Sequence, residues 1–277
     1  MSIYFIGDVH GCFYELNEAL NIINFNPKKD TLWFTGDLIA RGPDSLKVIN
    51  LLYTLRNNIR IVLGNHELNL LSIYYGITDN SSKNKIHDIL SSSNAEKLIN
   101  WLRFQPFLQI DKIKKIIMVH AGIFPTWTIN NTIKYANEIS HFLKSKNYRL
   151  LLYTLYNSES NIWKNNLFGL SKLQFNLNVF TRMRYIYKEY ILDMKHKNSP
   201  KHTSKSMIPW FLLLNNSIYK KYNIIFGHWS SLMGKNTPSN IYGLDTGCCW
   251  GNYLTILHWN SKKIFKIKYN KNSKLTF

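Results

Sequence analysis

The chain predicts an α/β fold, and three features carry that prediction. Over the first third, short apolar runs and helix-like stretches follow one another in the order β-α-β-α-β. A glycine motif closes each apolar run. In the last quarter, strand-like segments come in quick succession, with no long helix between them.

Taken in order, Ile3–Ile6 reads as a strand and Phe13–Ile23 as a helix, with Leu16, Leu20 and Ile23 at helical spacing. Leu32–Phe34 is a second strand running into "TGDLIARG". The helix that starts near Asp44 offers Leu46, Ile49, Leu52, Tyr53 and Leu55 to a core. "IRIVLGNHE" gives a third strand over Ile59–Leu63. From Asn65 to about Phe107 the pattern is helical, broken by the polar "DNSSKNK". "KKIIMVHAG" is the fourth strand. The stretch from about 131 to 222 is irregular, mostly helical and rich in aromatics. "YNIIFGHWS", "NIYGLDTG", "NYLTILHW" and "KIFKIKY" then read as strands of an antiparallel portion or a second sheet. No repeat or low-complexity linker divides the chain. Residues 1–277 are therefore read as one domain with a mainly helical insertion at about 131–222.

Composition narrows the class. With 277 residues, 45% hydrophobic and 18% charged, the chain is globular rather than disordered. No apolar run approaches the roughly 18 to 20 residues of a membrane helix. The first apolar run lacks a basic lead and ends in Asp-x-His, which argues against a signal peptide. Cys12, Cys248 and Cys249 make neither a disulfide framework nor a C-x-x-C zinc pattern, so a cytoplasmic protein is expected. The formal charge of +19 would attract a polyanion such as nucleic acid. Its lysines are scattered, however, and Asn and Ile are as abundant as A/T-rich codons would make them. Compositional drift accounts for most of the charge, and nucleic acid is not the expected partner.

The chemistry gathers at the strand ends, where α/β sheets place ligands. Five segments end alike: "GDVHG", "GDLIARG", "GNHE", "VHAG" and "FGHWS". They supply Asp8 and His10, Asp37, Asn65 and His66, His120, and His228. Strand alternation puts Asp8 and His10 on one side. A single His after a strand, or a single Asp beside Gly, is usually structural. Five in the same relative place are not explained as turns. Nitrogen and oxygen donors without sulfur suit Mn, Fe, Zn or Co.

This series, in this order from Gly7 to His228, resembles the binuclear metallophosphoesterases of the calcineurin-like superfamily. The resemblance implies two packed mixed β-sheets flanked by helices, and two divalent ions, Mn or Co foremost with Fe or Zn next. It implies that Asp8 and His10 hold the first ion, that Asp37 bridges, and that Asn65, His120 and His228 complete the second site. Two such ions, about 3.5 to 4 Å apart, lower the pKa of a shared water that attacks phosphorus. By the same match, His66 protonates the leaving oxygen and Arg41 clamps phosphate oxygens.

The serine/threonine protein phosphatases of this superfamily read G-D-x-x-D-R-G, and their second Asp orients the catalytic His. Here Ala40 stands in that place. That departure is similar instead to the symmetrical dinucleoside tetraphosphatase branch, as are "GDLIARGPDS", "NVFTRMRY" and "GLDTGCCWGNYLT". This narrower resemblance implies hydrolysis of diadenosine tetraphosphate to two ADP, with Arg182 and Arg184 meeting the additional phosphates. The rivals are a protein phosphatase or general phosphomonoesterase on the same scaffold, and a nucleic-acid binder whose affinity would fall steeply with salt. An inactive relative is disfavoured, because every ligand position holds a competent residue. Pro125 and Trp127 read as loop-shaping, Asp245 as a turn residue in preference to an outer-shell acid, and Cys248 and Cys249 as packing. Among the insertion aromatics, Trp163, Phe168 and Trp210 are equivalent candidates for stacking on a base.

Overall fold

A computed structural model describes residues 2–157, 161–164, 166–214 and 219–271. The first third is built as the sequence predicts: β1 (Ile3–Ile6), α1 (Phe13–Ile22), β2 (Thr31–Phe34), α2 (Ser45–Thr54), β3 (Ile59–Ile61) and α3 (Asn65–Tyr74). Strands β1, β2 and β3 pair in parallel in that order. Next come α4 (His87–Leu90), α5 (Ala95–Arg103), β4 (Leu108–Asp111) and β5 (Ile116–Val119). Strand β4 is absent from the sequence reading. Its sequence, Leu108-Gln109-Ile110-Asp111, alternates apolar and polar over only four half-buried residues, and its antiparallel pairing to β5 holds it.

The stretch after β5 is helical in its first half, with α6 (Ile129–Lys144), α7 (Tyr148–Asn157) and α8 (Gly169–Thr181). Its second half adds a small antiparallel sheet of β6 (Tyr185–Tyr187), β7 (Leu192–Asp193) and β8 (Met207–Pro209). Strands of two or three residues are too short to show a period of two. The chain continues through β9 (Asn223–Phe226), β10 (Ile241–Gly243), β11 (Asp245–Thr246), β12 (Tyr253–His258) and β13 (Ile264–Lys268).

Two mixed sheets result. One runs β11-β12-β1-β2-β3, with β13 also on β12; the other runs β10-β9-β5-β4. Alternation along β1 shows how they stack. Ile3 and Phe5 point into a core shared with Trp33, Ile116, Met118, Ile225 and Leu257, which joins strands of both sheets. Tyr4 and Ile6 point the other way, into the larger cluster that includes Leu16 and Ala19 of α1. The sheets therefore face each other, and helices cover the outside. Among the described residues, no helix is long and apolar enough to cross a membrane.

A change of partner along β12 brings two acids together. Strand β1 pairs with β12 as far as Ile6↔Ile256, and β11 then takes up the same strand at Asp245↔Leu254. Because β13 holds the other edge of β12 along residues 253–257, β11 must lie on the β1 side. Where β1 peels away at Gly7, β11 replaces it, and Asp245 arrives beside Asp8.

Candidate active site

The loops after β1 and β2 are stitched together before any side chain is considered. His10 N–H donates to Asp37 O at 2.8 Å, Gly11 N–H to Leu38 O at 2.9 Å and Gly42 N–H to His10 O at 2.8 Å. A Cβ on Gly42 would overlap that His10 carbonyl, so the contact requires glycine. His10, Asp37, Ala40, Arg41 and His228 all adopt left-handed backbone, with φ of 48°, 47°, 72°, 68° and 64°. Each such residue costs roughly 1–2 kcal/mol against its preferred conformation. Strain concentrated in this way is typical of a functional site held by its surroundings.

The side chains converge on Asp37. His120 Nε2 lies 3.4 Å and His10 Nε2 3.7 Å from Asp37 Oδ2. Asn65 Oδ1 lies 3.4 Å from His120 Nε2. Two triads, His10–Asp37–His66 and Asp37–His120–His228, each bring their donor atoms within 4.8 Å of one another. Every imidazole of the expected ligand set spends one nitrogen on a main-chain carbonyl: His10 Nδ1 on Ile39 O at 3.3 Å, His120 Nδ1 on Thr35 O at 2.8 Å, His228 Nε2 on Arg182 O at 2.9 Å. That leaves the opposite nitrogen of each ring for a cation, the arrangement metal-binding histidines adopt. Asp8 is oriented by Thr35 Oγ1–H on Oδ1 and His228 N–H on Oδ2, both at 2.8 Å. Each of its oxygens keeps a second lone pair.

The electrostatics point the same way. Burial, helped by Asp245, pushes the Asp8 carboxyl well up. Burial would raise Asp37 too, but His120, His66 and His10 hold it well below the usual carboxylate range. Burial disfavours charge on His120, yet the Asp37 carboxylate outweighs it and lifts the imidazole to about 10. A buried group of acids that draws a proton onto an imidazole is short of positive charge, and divalent cations supply it. With carboxylate, imidazole and amide donors gathered and no sulfur among them, the site fits such ions.

His66 stands apart. Its N–H caps Asp37 Oδ1 at 2.9 Å, and its ring packs edge-on against His10 at 4.8 Å between centroids. Burial lowers the imidazole to about 4. Among the described residues, its buried Nδ1 has no partner. This agrees with the sequence, which has Ala40 where the protein phosphatase pattern places the orienting acid.

A cavity of about 670 Å3 opens over this cluster. Arg41, Arg182, Arg184 and Lys197 line it together with His10, Asp37, Asn65, His66 and His228. Arg182 closes α8 and Arg184 precedes β6, so the sequence pair does reach one wall. Arg184 is fixed by Nη2–H donating to His228 O at 2.8 Å.

Of two further residues at the site, Glu67 escaped sequence reasoning and Asp245 was set aside by it. Glu67, wholly buried, accepts from Asp37 N (2.9 Å) and Gly64 N (2.9 Å) on Oε2 and from Leu38 N (2.8 Å) on Oε1. It thus ties the Asp37 loop to the start of α3. Its place as the third residue of that helix was the available signal. Asp245, read as a turn residue, accepts from Gly247 N at 3.0 Å but also lines the cavity at 5% exposure. A third cluster, Cys12–Glu15–Cys248, is occupied with itself. Cys248 pushes the Cys12 thiol up, and Glu15 accepts Asn270 N–H at 2.8 Å.

Comparison with known proteins decides the family. The calcineurin-like phosphoesterase family model matches residues 1–232. A symmetrical bis(5′-nucleosyl)-tetraphosphatase of Baumannia cicadellinicola is 52% identical over 98% of this chain and 94% of its own. The chain belongs to the calcineurin-like phosphoesterases, in their symmetrical bis(5′-nucleosyl)-tetraphosphatase branch. A Proteus mirabilis member of that branch shares 49% identity with this phosphoesterase, over 96% of this chain and 97% of its own. The fold alone is shared with the cold-active protein-tyrosine phosphatase of a psychrophilic Shewanella. That structure gives a TM-score of 0.58 at 17% identity, over 96% of this phosphoesterase and 80% of the other chain. Membership of a metallophosphoesterase family implies divalent metal ions for this chain as well.

Proposed function

We propose that this phosphoesterase hydrolyses diadenosine tetraphosphate symmetrically, to two ADP. The observation that carries the reading is the orphaned Nδ1 of His66, together with an alanine at position 40 where the protein phosphatase pattern has an acid. A phosphoserine ester expels a strongly basic alkoxide, which needs a proton from a well-oriented acid. A nucleoside diphosphate is a weakly basic leaving group, and a hydrogen bond to its oxygen suffices. A neutral imidazole without an orienting carboxylate can give that hydrogen bond. The name borne by relatives at about half identity supports the same substrate.

Asp8 and His10 would hold one divalent ion, Asn65, His120 and His228 the other, and Asp37 both; manganese or cobalt is the first choice. Bound there, the ions supply Lewis acidity toward phosphoryl oxygens and lower the pKa of a water. Arg41, Arg182 and Arg184 neutralise the tetraphosphate chain and fix its register. Glu67 keeps the Asp37 loop in place while the charge on the substrate changes. His66 donates to the oxygen of the departing ADP. The free thiols Cys12, Cys248 and Cys249 suit the reducing cytoplasm, where we place the enzyme.

Chromatography of the products tests the reading: ADP alone is expected. Equal AMP and ATP would refute it, as would faster turnover of a phosphopeptide than of the dinucleotide.

A further inference from the structure

The three arginines and the metal-ligand cluster account for the phosphates of a dinucleoside polyphosphate but not for its bases. Of the three insertion aromatics that the sequence left equivalent, Trp210 is fully buried. Trp163 is packed against Trp127, Tyr135 and Phe175. Phe168 is exposed but does not line the cavity. The described residues that do line it include one tryptophan and no tyrosine or phenylalanine, and that tryptophan is Trp250, outside the insertion.

Trp250 is 62% exposed, whereas Trp33, Trp127, Trp210 and Trp229 are at most 2% exposed. An indole left in water forgoes the stabilisation that burial gives the others. Its backbone is nevertheless tightly built. Gly247 and Gly251, with φ of 72° and 92°, bracket a single turn over Cys248–Trp250. Within it, Trp250 N–H donates to Gly247 O at 3.0 Å, Gly251 N–H to Cys248 O at 2.9 Å and Asn252 N–H to Gly247 O at 3.2 Å. Cys248, wholly buried, anchors the turn from below. Strand β11 leads directly into it, so one rigid segment sets Asp245 on the cavity floor and an indole on its rim.

We propose that Trp250 is the base-stacking platform of this cavity, taking the purine of a nucleotide whose phosphates reach Arg41, Arg182 and Arg184. The proposal rests on the nucleotide-hydrolase reading and extends it to the base. An indole face accepts any flat base without hydrogen-bond readout, so stacking here tolerates adenine and guanine alike.

Equilibrium binding to the manganese-loaded enzyme separates base from phosphate. Calorimetric titration with ADP and with inorganic pyrophosphate is compared for the parent protein, Trp250→Ala and Trp250→Phe. Loss of one base–aromatic stack predicts ADP binding weakened roughly 5- to 150-fold in the alanine variant, and most of it recovered with phenylalanine. Pyrophosphate binding should stay within about twofold in all three. Unchanged ADP binding in Trp250→Ala overturns the proposal, and so does parallel weakening of ADP and pyrophosphate. These outcomes do not depend on turnover. ADP binding indifferent to Trp250 in an enzyme that still forms ADP from the dinucleotide sinks only the stacking. ADP binding that needs Trp250 in an enzyme that does not form ADP sinks only the hydrolase reading.

Discussion

Adding one methyl group at Gly227 should disable the site through Asp8. The backbone there is outside the left-handed region, so alanine meets no conformational penalty of its own. Its Cβ would, however, overlap Asp8 Oδ1 and come within 2.7 Å of Thr35 Oγ1. The clash has two ways out. Swinging the carboxylate away breaks its bonds from Thr35 and His228, and at about 1.5–3 kcal/mol for each bond to a charged group this costs about 3–6 kcal/mol. Shifting the backbone to absorb an extra methyl costs about 1–3 kcal/mol, so the shift wins. Because His228 is the next residue and its N–H holds Asp8 Oδ2, the shift moves one expected ligand and disturbs the seat of a second, and a misplacement near 1 Å costs on the order of 100-fold in rate. Gly227→Ala is therefore expected to lose about 1–3 kcal/mol in urea unfolding and at least about 100-fold in kcat with saturating manganese. Gly76→Ala is the control, with a left-handed glycine (φ 70°) but nothing within 4 Å of the added Cβ. It should lose about 1 kcal/mol and keep full activity. A Gly227→Ala enzyme within about threefold of the parent rate would refute the reasoning.

Other substitutions probe the remaining parts. Asn65→Ala should lower bound metal from about two ions to about one per chain by elemental analysis, with more than about 100-fold loss of activity; two retained ions would remove Asn65 from the ligand set. Ala40→Asp should return a partner to His66 Nδ1 and raise turnover of a phosphomonoester at least about tenfold relative to the dinucleotide; an unchanged ratio would leave the leaving-group argument without support. In the metal-free protein, burial and then Asp37 raise Glu67 to about 7 from its ordinary value of 4.5, against the pull of the backbone N–H groups. An acid whose folded pKa is raised contributes stability that is complete below pH 4.5 and is lost as pH climbs through 7. Glu67→Gln should therefore flatten the fall in urea stability between about pH 5 and 8 by about 3 kcal/mol, and an identical slope would show that Glu67 does not ionise in that window.

What was legible in the sequence was local. Asp8 and His10 sit within four residues of the strand that aims them, and Asp37, Asn65, His120 and His228 likewise follow β2, β3, β5 and β9 closely. Each strand end could be recognised alone, and their repetition made the set credible. Asp245 was not legible, because its arrival depends on β11 taking over the β12 edge that β1 vacates. No spacing rule encodes that exchange. Trp250 follows from the same long-range event. Glu67 had a local signal, the third position of a helix opening on Gly64, but the reason it matters is a loop some thirty residues away in sequence. Strands β4, β6, β7 and β8 were missed because runs of two to four residues are too short for a period of two to stand out.

The proposed function stands on strand-end side chains from both sheets that would hold a pair of cations, with Asp37 common to the two ligand groups. Anomalous diffraction from a manganese-soaked crystal tests it most directly. Two peaks are expected, both touching Asp37, one also against Asp8 and His10 and the other against Asn65, His120 and His228. A single peak, or peaks that leave Asp37 untouched, would contradict it.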